Sequence, residues 1–262
     1  MELESSDWRT ALGNGAADPK IVAGHSLESI TRERTYTEVL WLVVRGRFPE
    51  PEERAVFEAC LTAIVDQGYR NTVATVARFA ASAAAEPIPA IIAGIAGIGR
   101  HTGGAQVYVA TYLDEIRNRV ETGEDLDAVA DDVVARHRAT GAVPGYGSKL
   151  HRSLGYDPRA RTLFAIAGEH DLPDRMGTEG YFAVGRALER VLGRTLVQNI
   201  DGAMGAVFND LGFRPMDVAA LEVPVMLPSI IGHTLEELRD GHPMRMLPDD
   251  LVRYVGPPGP GR

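Results

Sequence analysis

T-Y-T-E-V-L-W-L-V-V-R-G, Thr35 to Gly46, decides the fold class. Thr35 and Glu38 are spaced as a capping box, in which the hydroxyl and the carboxylate each take one backbone N–H at a helix start. The apolar run V-L-W-L-V-V follows, and Gly46 stands where a left-handed residue closes a helix. The same grammar continues outward. After R-F-P-E-P a helix starts near Pro51, carries V-F-x-x-C-L-x-x-I-V and stops near Gly68. Val73, Val76 and Phe79 recur at helical spacing between Asn71 and Ala85. Ala90 to Gly99 is small and apolar on all sides, which reads as a buried helix with Gly94 and Gly97 admitting a close neighbour.

Gly104 to Glu121 is amphipathic, and Asp125 to Arg138 is a charged helix. Asp157-Pro158 opens another, with proline at the first helical position. M-G-T-E-G-Y-F-A-V-G-R-A-L-E-R-V-L-G ends at Gly193, and Asn199–Leu211 and Ser229–Arg239 complete the set. No strand pattern stands out and no repeat of 20–50 residues is present. The expectation is an all-α protein.

Composition narrows the function classes. At 262 residues, 45% of them hydrophobic, the chain can build a core without staples. No apolar run approaches the ~20 residues that span a bilayer, so no membrane partner is expected. M-E-L-E-S-S-D-W lacks a charged-then-apolar leader, so no secretion signal is expected. The single cysteine, Cys60, rules out an internal disulfide and fits a reducing, cytoplasmic setting; its apolar neighbours make it core packing. A net charge of −9 argues against nucleic acid, which is held by clustered Lys and Arg. No metal site is expected.

Three stretches mix small, polar and charged residues. G-R-H-T-G-G-A-Q, residues 99–106, puts His101 and Thr102 at the mouth of a helix whose free N–H groups suit an anion; it reads equally as a helix–helix corner. T-G-A-V-P-G-Y-G-S-K-L-H-R, Thr140 to Arg152, is an open glycine loop turning cationic, a backbone platform for a ligand or a solvated basic turn. L-V-Q-N-I-D-G-A-M-G sets Asp201 among apolar residues, which raises a carboxylate's basicity; a helix cap is the alternative.

Five motifs in order tie these stretches together. T-Y-T-E-V-L-W-L-V-V-R-G-R-F-P-E-P-E-E resembles the opening helix-loop-helix of the citrate synthase superfamily. V-P-G-Y-G-S-K-L-H-R-S-L-G-Y-D-P-R-A resembles its P-G-[YF]-G-H loop followed by D-P-R, and N-I-D-G-A its N-V-D. I-I-G-H-T-L-E-E-L and R-Y-V-G-P resemble its C-terminal A-H-x-x-E and Y-x-G. In brevity and in these forms the chain is most similar to the short citryl-CoA lyase-like members.

The resemblance implies a citrate synthase-like fold with a large domain (1–102 and 209–262) and a smaller one (103–208). It implies a homodimer, with a coenzyme A thioester as substrate rather than a permanent cofactor, and a carboxylate or carbonyl co-substrate. The reaction would make or break a carbon–carbon bond beside the thioester. Asp201 matches the base at the α-carbon. The loop Val143, Pro144, Gly145, Tyr146 and Gly147 matches the platform for the CoA adenine, with Lys149 and Arg152 toward its phosphates. Arg159 matches the arginine that grips a carboxylate. His233 matches a family helix position and is expected to be structural.

The departures are as informative. The loop histidine is Ser148, a hydrogen-bond donor that cannot act as a cationic acid; His151 is the nearest substitute. Either His101 or Thr102 takes the place of the enolate-supporting histidine. Gln67 replaces a histidine, Met226 replaces an arginine, and Arg245 is a remnant of a further carboxylate-binding arginine. The losses make the pocket less cationic, so the expected electrophile is less anionic than oxaloacetate. A non-catalytic acyl-CoA-binding scaffold and a thioester hydrolase remain open.

Overall fold

A computed structural model describes residues 9–69, 71–102, 104–148 and 153–257. Three short strands, β1 (Gly13–Asn14), β2 (Ile21–Val22) and β3 (His25–Ser26), form an antiparallel ribbon that the sequence reading did not anticipate. Two-residue strands carry too little alternation to be read. Among the described residues the named elements that follow are helices: α1 (Leu27–Glu33), α2 (Tyr36–Arg45), α3 (Pro51–Thr62), α4 (Thr72–Ala84), α5 (Pro87–Ala96) and α6 (Ala105–Glu121). Then come α7 (Leu126–Thr140), α8 (Pro158–Glu169), α9 (Met176–Leu192), α10 (Ile200–Asp210) and α11 (Pro215–Asp240). The protein is all-α, as the sequence leads one to expect.

Local chemistry explains the helix ends. At α2 both halves of the capping box form, and Gly46 closes the helix at φ 74°. Asn71, Asp125, Asp157 and Asn199 each cap the helix that follows with a side-chain oxygen. The departure is α11, expected to begin near Ser229 but running from Pro215 straight through Pro224 and Pro228. An interior proline forfeits a hydrogen bond and costs about 3 kcal/mol. Burial of Leu221, Val225, Met226 and Ile230 along the helix offsets that loss. By length and composition alone α11 is also long and apolar enough to cross a membrane, contrary to the sequence expectation, and 39% of its most apolar window is buried inside the protein.

Chain contacts divide the molecule into two compact units. The first comprises Met1–Val65 and Gly103–Val225, the second Asp66–Thr102 and Met226–Arg262. Residues 9–65 pack with the segment after 103 because α3 lies against α8 and α10.

In the first unit, Trp41, Phe57, Phe208 and Phe213 make an aromatic nucleus with ring centroids 4.9–6.3 Å apart. Cys60 is buried beside it, its thiol pushed up by burial, as a core residue. A second cluster joins Val109, Leu113 and Ile116 of α6 to Val133 of α7 and Tyr181, Val184 and Leu188 of α9. Helix α10 runs through the middle, buried from Gly202 to Asp210. A Cβ on Gly202 would sit 2.2 Å from the Tyr181 hydroxyl oxygen, so only glycine lets these helices meet there.

In the second unit α4 packs on α5, and Gly94 lies where a Cβ would come 2.8 Å from Ile230. Helix α5 is not buried all round as expected, since Ile88 and Ile92 are 64% and 61% exposed. Two polar knots fasten this unit. Asp66 accepts from Ser229 Oγ at 2.8 Å and contacts His233 Nε2 at 3.1 Å. Glu237 is held by Arg78 Nε at 2.8 Å and by Arg245.

Candidate active site

The first unit gathers Asp201, the Pro-Gly-Tyr-Gly loop and Arg159. Its geometry starts at Asn199. The Asn199 side chain caps α10 by accepting from Gly202 N at 3.0 Å, and its amide donates to Gly147 O at 2.9 Å. Asn199 N donates to Gly145 O at 3.1 Å, and Gly147 N to Val197 O at 2.7 Å. The glycine loop is thus stitched, residue by residue, to the turn that launches Asp201 into the first turn of α10.

Aromatic residues fasten the loop from the other side. Tyr181 donates to Gly145 O at 2.6 Å, its ring stacks on Tyr146 at 4.7 Å, and the Tyr146 hydroxyl donates to Tyr181 O. The Tyr112 hydroxyl lies 3.4 Å from Pro144 O. Val143 and Gly145 are buried, and a Cβ on Gly145 would press at 3.0 Å on Gly202, Tyr181 and Val109. The glycine there serves packing, which differs from the open platform that the sequence suggests. Gly147 shares the φ of +88° but differs in its surroundings: among the described residues no atom lies within 4 Å of a Cβ built on it. Gly147 and Ser148 line a cavity of about 660 Å³ with Gly155, Arg194, Thr195, Leu196 and Val197. Arg194, a cation on this cavity, was not singled out in the sequence. Lys149, His151 and Arg152 lie outside the described residues.

Asp157 organises the opposite edge. Only 1% exposed, it accepts from Arg159 N at 3.1 Å, from Arg159 Nε and Nη2 at 3.1 and 2.8 Å, and from Ile200 N at 3.2 Å. One carboxylate therefore starts both α8 and α10 and orients the Arg159 guanidinium. Asp201, partly exposed, sits next in line. Burial raises its pKa above the usual carboxylate value; Arg159 opposes that shift and the Asp157 charge adds to it. A carboxylate in this state is a stronger base than one in water.

Sequence reasoning missed a pair buried in the same unit. Glu222 of α11 and Gln106 of α6 are 2% and 0% exposed. Glu222 is pushed up to about 9, chiefly by burial and then by the Asp201 charge, with Gln106 working the other way. The available signal was a lone acid inside the apolar run A-A-L-E-V-P-V-M-L-P.

The remaining candidates belong to the second unit. His101 is exposed at the tip of a tight turn closed by paired Gly99 and Thr102 backbone bonds of 2.9 Å, and Thr102 is partly buried. Gln67 is exposed in the loop after α3. The Arg245 guanidinium is engaged by Glu237, and Met226 is buried. His233 is tied to Asp66.

Comparison with known proteins follows from this geometry. A citryl-CoA lyase from Hydrogenobacter thermophilus shares the fold with a TM-score of 0.86 at 23% identity, over 98% of this chain and 97% of that one. An ATP citrate lyase variant from Methanosaeta concilii, in complex with (3S)-citryl-CoA, gives 0.79 at 20% identity, over 98% of this chain and 43% of that one. Citrate synthase from Thermoplasma acidophilum, in ternary complex with carboxymethyl coenzyme A and oxaloacetate, gives 0.66 at 21% identity, over 87% and 58%. No curated protein sequence matches the chain. The family profile described as citrate synthase, C-terminal domain, matches residues 10–247. The chain belongs to the citrate synthase family.

Proposed function

We propose that the protein makes or breaks a carbon–carbon bond next to an acyl-CoA thioester, with Asp201 as the base. The observation that carries this reading is a desolvated carboxylate in the first turn of α10, linked through Asn199 to the open Gly147–Ser148 corner. In the forward step the α C–H bond breaks, the proton passes to an Asp201 oxygen, and the electron pair moves into the thioester as an enolate. In cleavage the same carboxyl returns the proton to carbon. The solved citryl-CoA and carboxymethyl-CoA complexes of similarly folded proteins support a CoA thioester as the ligand.

The Gly147–Ser148 cavity suits the nucleotide end of CoA, with Arg194 joining Lys149 and Arg152 as phosphate partners. Ser148 offers a hydrogen bond to the acceptor, and Arg159 keeps donors for a carboxylate beyond those spent on Asp157. The family resemblance gives the enolate donor as His101 or Thr102, which separate variants distinguish. A homodimer is part of the same proposal. The second reading, acyl-CoA binding without turnover, is favoured by Arg245 being engaged by Glu237.

Incubation with acetyl-CoA in D₂O tests the base. Wild type is expected to wash deuterium into the methyl group and Asp201→Asn to slow this by roughly 10²–10⁴-fold, the usual worth of a positioned base. Binding without exchange supports the scaffold reading. Exchange untouched by the substitution removes Asp201 from the chemistry.

A further inference from the structure

Of the buried polar side-chain atoms without a hydrogen-bond partner among the described residues of the first unit, four belong to two side chains, Glu222 and Gln106. Glu222 and Gln106 lie close enough for the amide to work against the shift of the carboxyl, yet among the described residues neither carboxyl oxygen of Glu222 nor either amide atom of Gln106 completes a hydrogen bond of normal geometry. Interiors rarely tolerate such groups, because each has given up water for nothing. Their placement relates them to the base. Asp201 and Gly205 are four residues apart on α10 and share a face. On that face a Cβ at Gly205 would lie 2.9 Å from the backbone oxygen of Gln106 and 2.7 Å from Val109, one turn further along α6. Gln106 therefore packs beside the stripe of α10 that carries Asp201, and Glu222 feels the Asp201 charge directly.

The pair's chemistry restricts what it can hold. Among the described residues, Asp201 is the one charged group acting on Glu222, and no cation does so. With its pKa pushed up to about 9, Glu222 keeps its proton near neutral pH and offers one O–H donor and one acceptor; the Gln106 amide offers the same two functions. A carboxylate ligand at this pair would add a negative charge next to the Glu222 carboxyl, on which Arg159 exerts no effect although it acts on Asp201. An uncharged group that both donates and accepts, or accepts alone, matches the four open valences.

Building on the proposed base at Asp201, we infer that Glu222 and Gln106 form a specificity subsite for an uncharged polar group, a hydroxyl or ketone oxygen, at carbon 3 of a CoA thioester's acyl chain. Carbon 3 is the position next to the carbon Asp201 addresses, and it bears the oxygen in every product of addition to a carbonyl. The pair contributes recognition and takes no proton from carbon.

Calorimetry with 3-hydroxybutyryl-CoA and butyryl-CoA tests the subsite on the full-length protein. Wild type is expected to prefer the hydroxylated thioester about tenfold or more. In Glu222→Leu and Gln106→Leu the ratio of the two Kd values is expected to fall toward one, while Glu222→Gln, which keeps a neutral donor, retains most of it. A folding defect moves both affinities together and leaves the ratio alone, so the ratio isolates recognition. Equal affinities in wild type, or a preference that survives both leucine variants, overturns the subsite and leaves Asp201 chemistry standing. A preserved preference in a wild type that exchanges no α-proton keeps the subsite and removes the base. Failure to bind either thioester removes both.

Discussion

Glu222 and Glu237 sit on the same helix, are 2% and 4% exposed, and have opposite electrostatic fates. Glu237, in the second unit, is gripped by Arg78 and Arg245, which hold its carboxyl below the usual range although burial pushes the other way. Glu222, in the first unit, meets no cation among the described residues and is pushed up to about 9. Asp66 and Asp201 repeat the contrast: Asp66 is lowered by Ser229, Gly68 and His233, whereas Asp201 is raised despite Arg159. One unit spends its carboxylates on fastening. The other leaves two of them short of partners, and an under-compensated buried acid is stored reactivity.

The largest effect that can break this contrast is the loss of α-proton exchange in Asp201→Asn. Exchange in the wild type should also fall as pH drops, through an apparent pKa above the ordinary aspartate value, because the base must be ionised and burial raises it.

Stability against pH comes next, and the two glutamates carry opposite signs. Glu222's folded pKa of about 9 exceeds its unfolded value of 4.5, so its contribution is complete below 4.5 and is lost as pH rises toward 9. Within that window the loss from this one proton is on the order of 1 kcal/mol per pH unit. Urea denaturation from pH 5 to 9 should show this slope in wild type and a flatter one in Glu222→Gln. Glu237 is depressed, so its contribution is present above its unfolded pKa and disappears as pH falls through the folded value. Glu237→Gln should flatten only the acid limb. Slopes that stay parallel in the two variants contradict the distinction between the units.

A packing test is smaller. Gly202→Ala places a methyl 2.2 Å from the Tyr181 hydroxyl oxygen, which is itself tied to Gly145. The ring must shift and release the loop, at a cost of about 1–3 kcal/mol; the midpoint of denaturation and the CoA affinity should both fall. Smallest is Thr35→Ala, which removes the α2 capping box without touching a candidate site residue by substitution and should cost about 1 kcal/mol with exchange unchanged.

Helices were legible because their signals are local. Thr35, Asn71, Asp125, Asp157 and Asn199 announce helix starts through atoms within three residues, and Gly46 and Gly193 announce ends through a single positive φ. Helix α11 was not, since Pro224 and Pro228 are local stop signals overruled by burial against distant residues. In the site, Asp201 and the glycine loop could be marked by motif, but Asp157's double duty depends on α10 arriving beside α8. Gly145 and Gly147 look alike in the string, and only their surroundings separate a packing glycine from an open one.

From its order of residues alone, this protein was bound to be helical, to belong among citrate synthase relatives, and to place an aspartate after a glycine loop. Which acids find counter-ions and which stay unpaired was settled by the packing of α6, α8, α10 and α11. Charge compensation acts over a few ångströms through space, and Gln106, Asp201 and Glu222 are neighbours in no stretch of sequence. Capping and periodicity act along the chain, where a reader of the sequence can follow them.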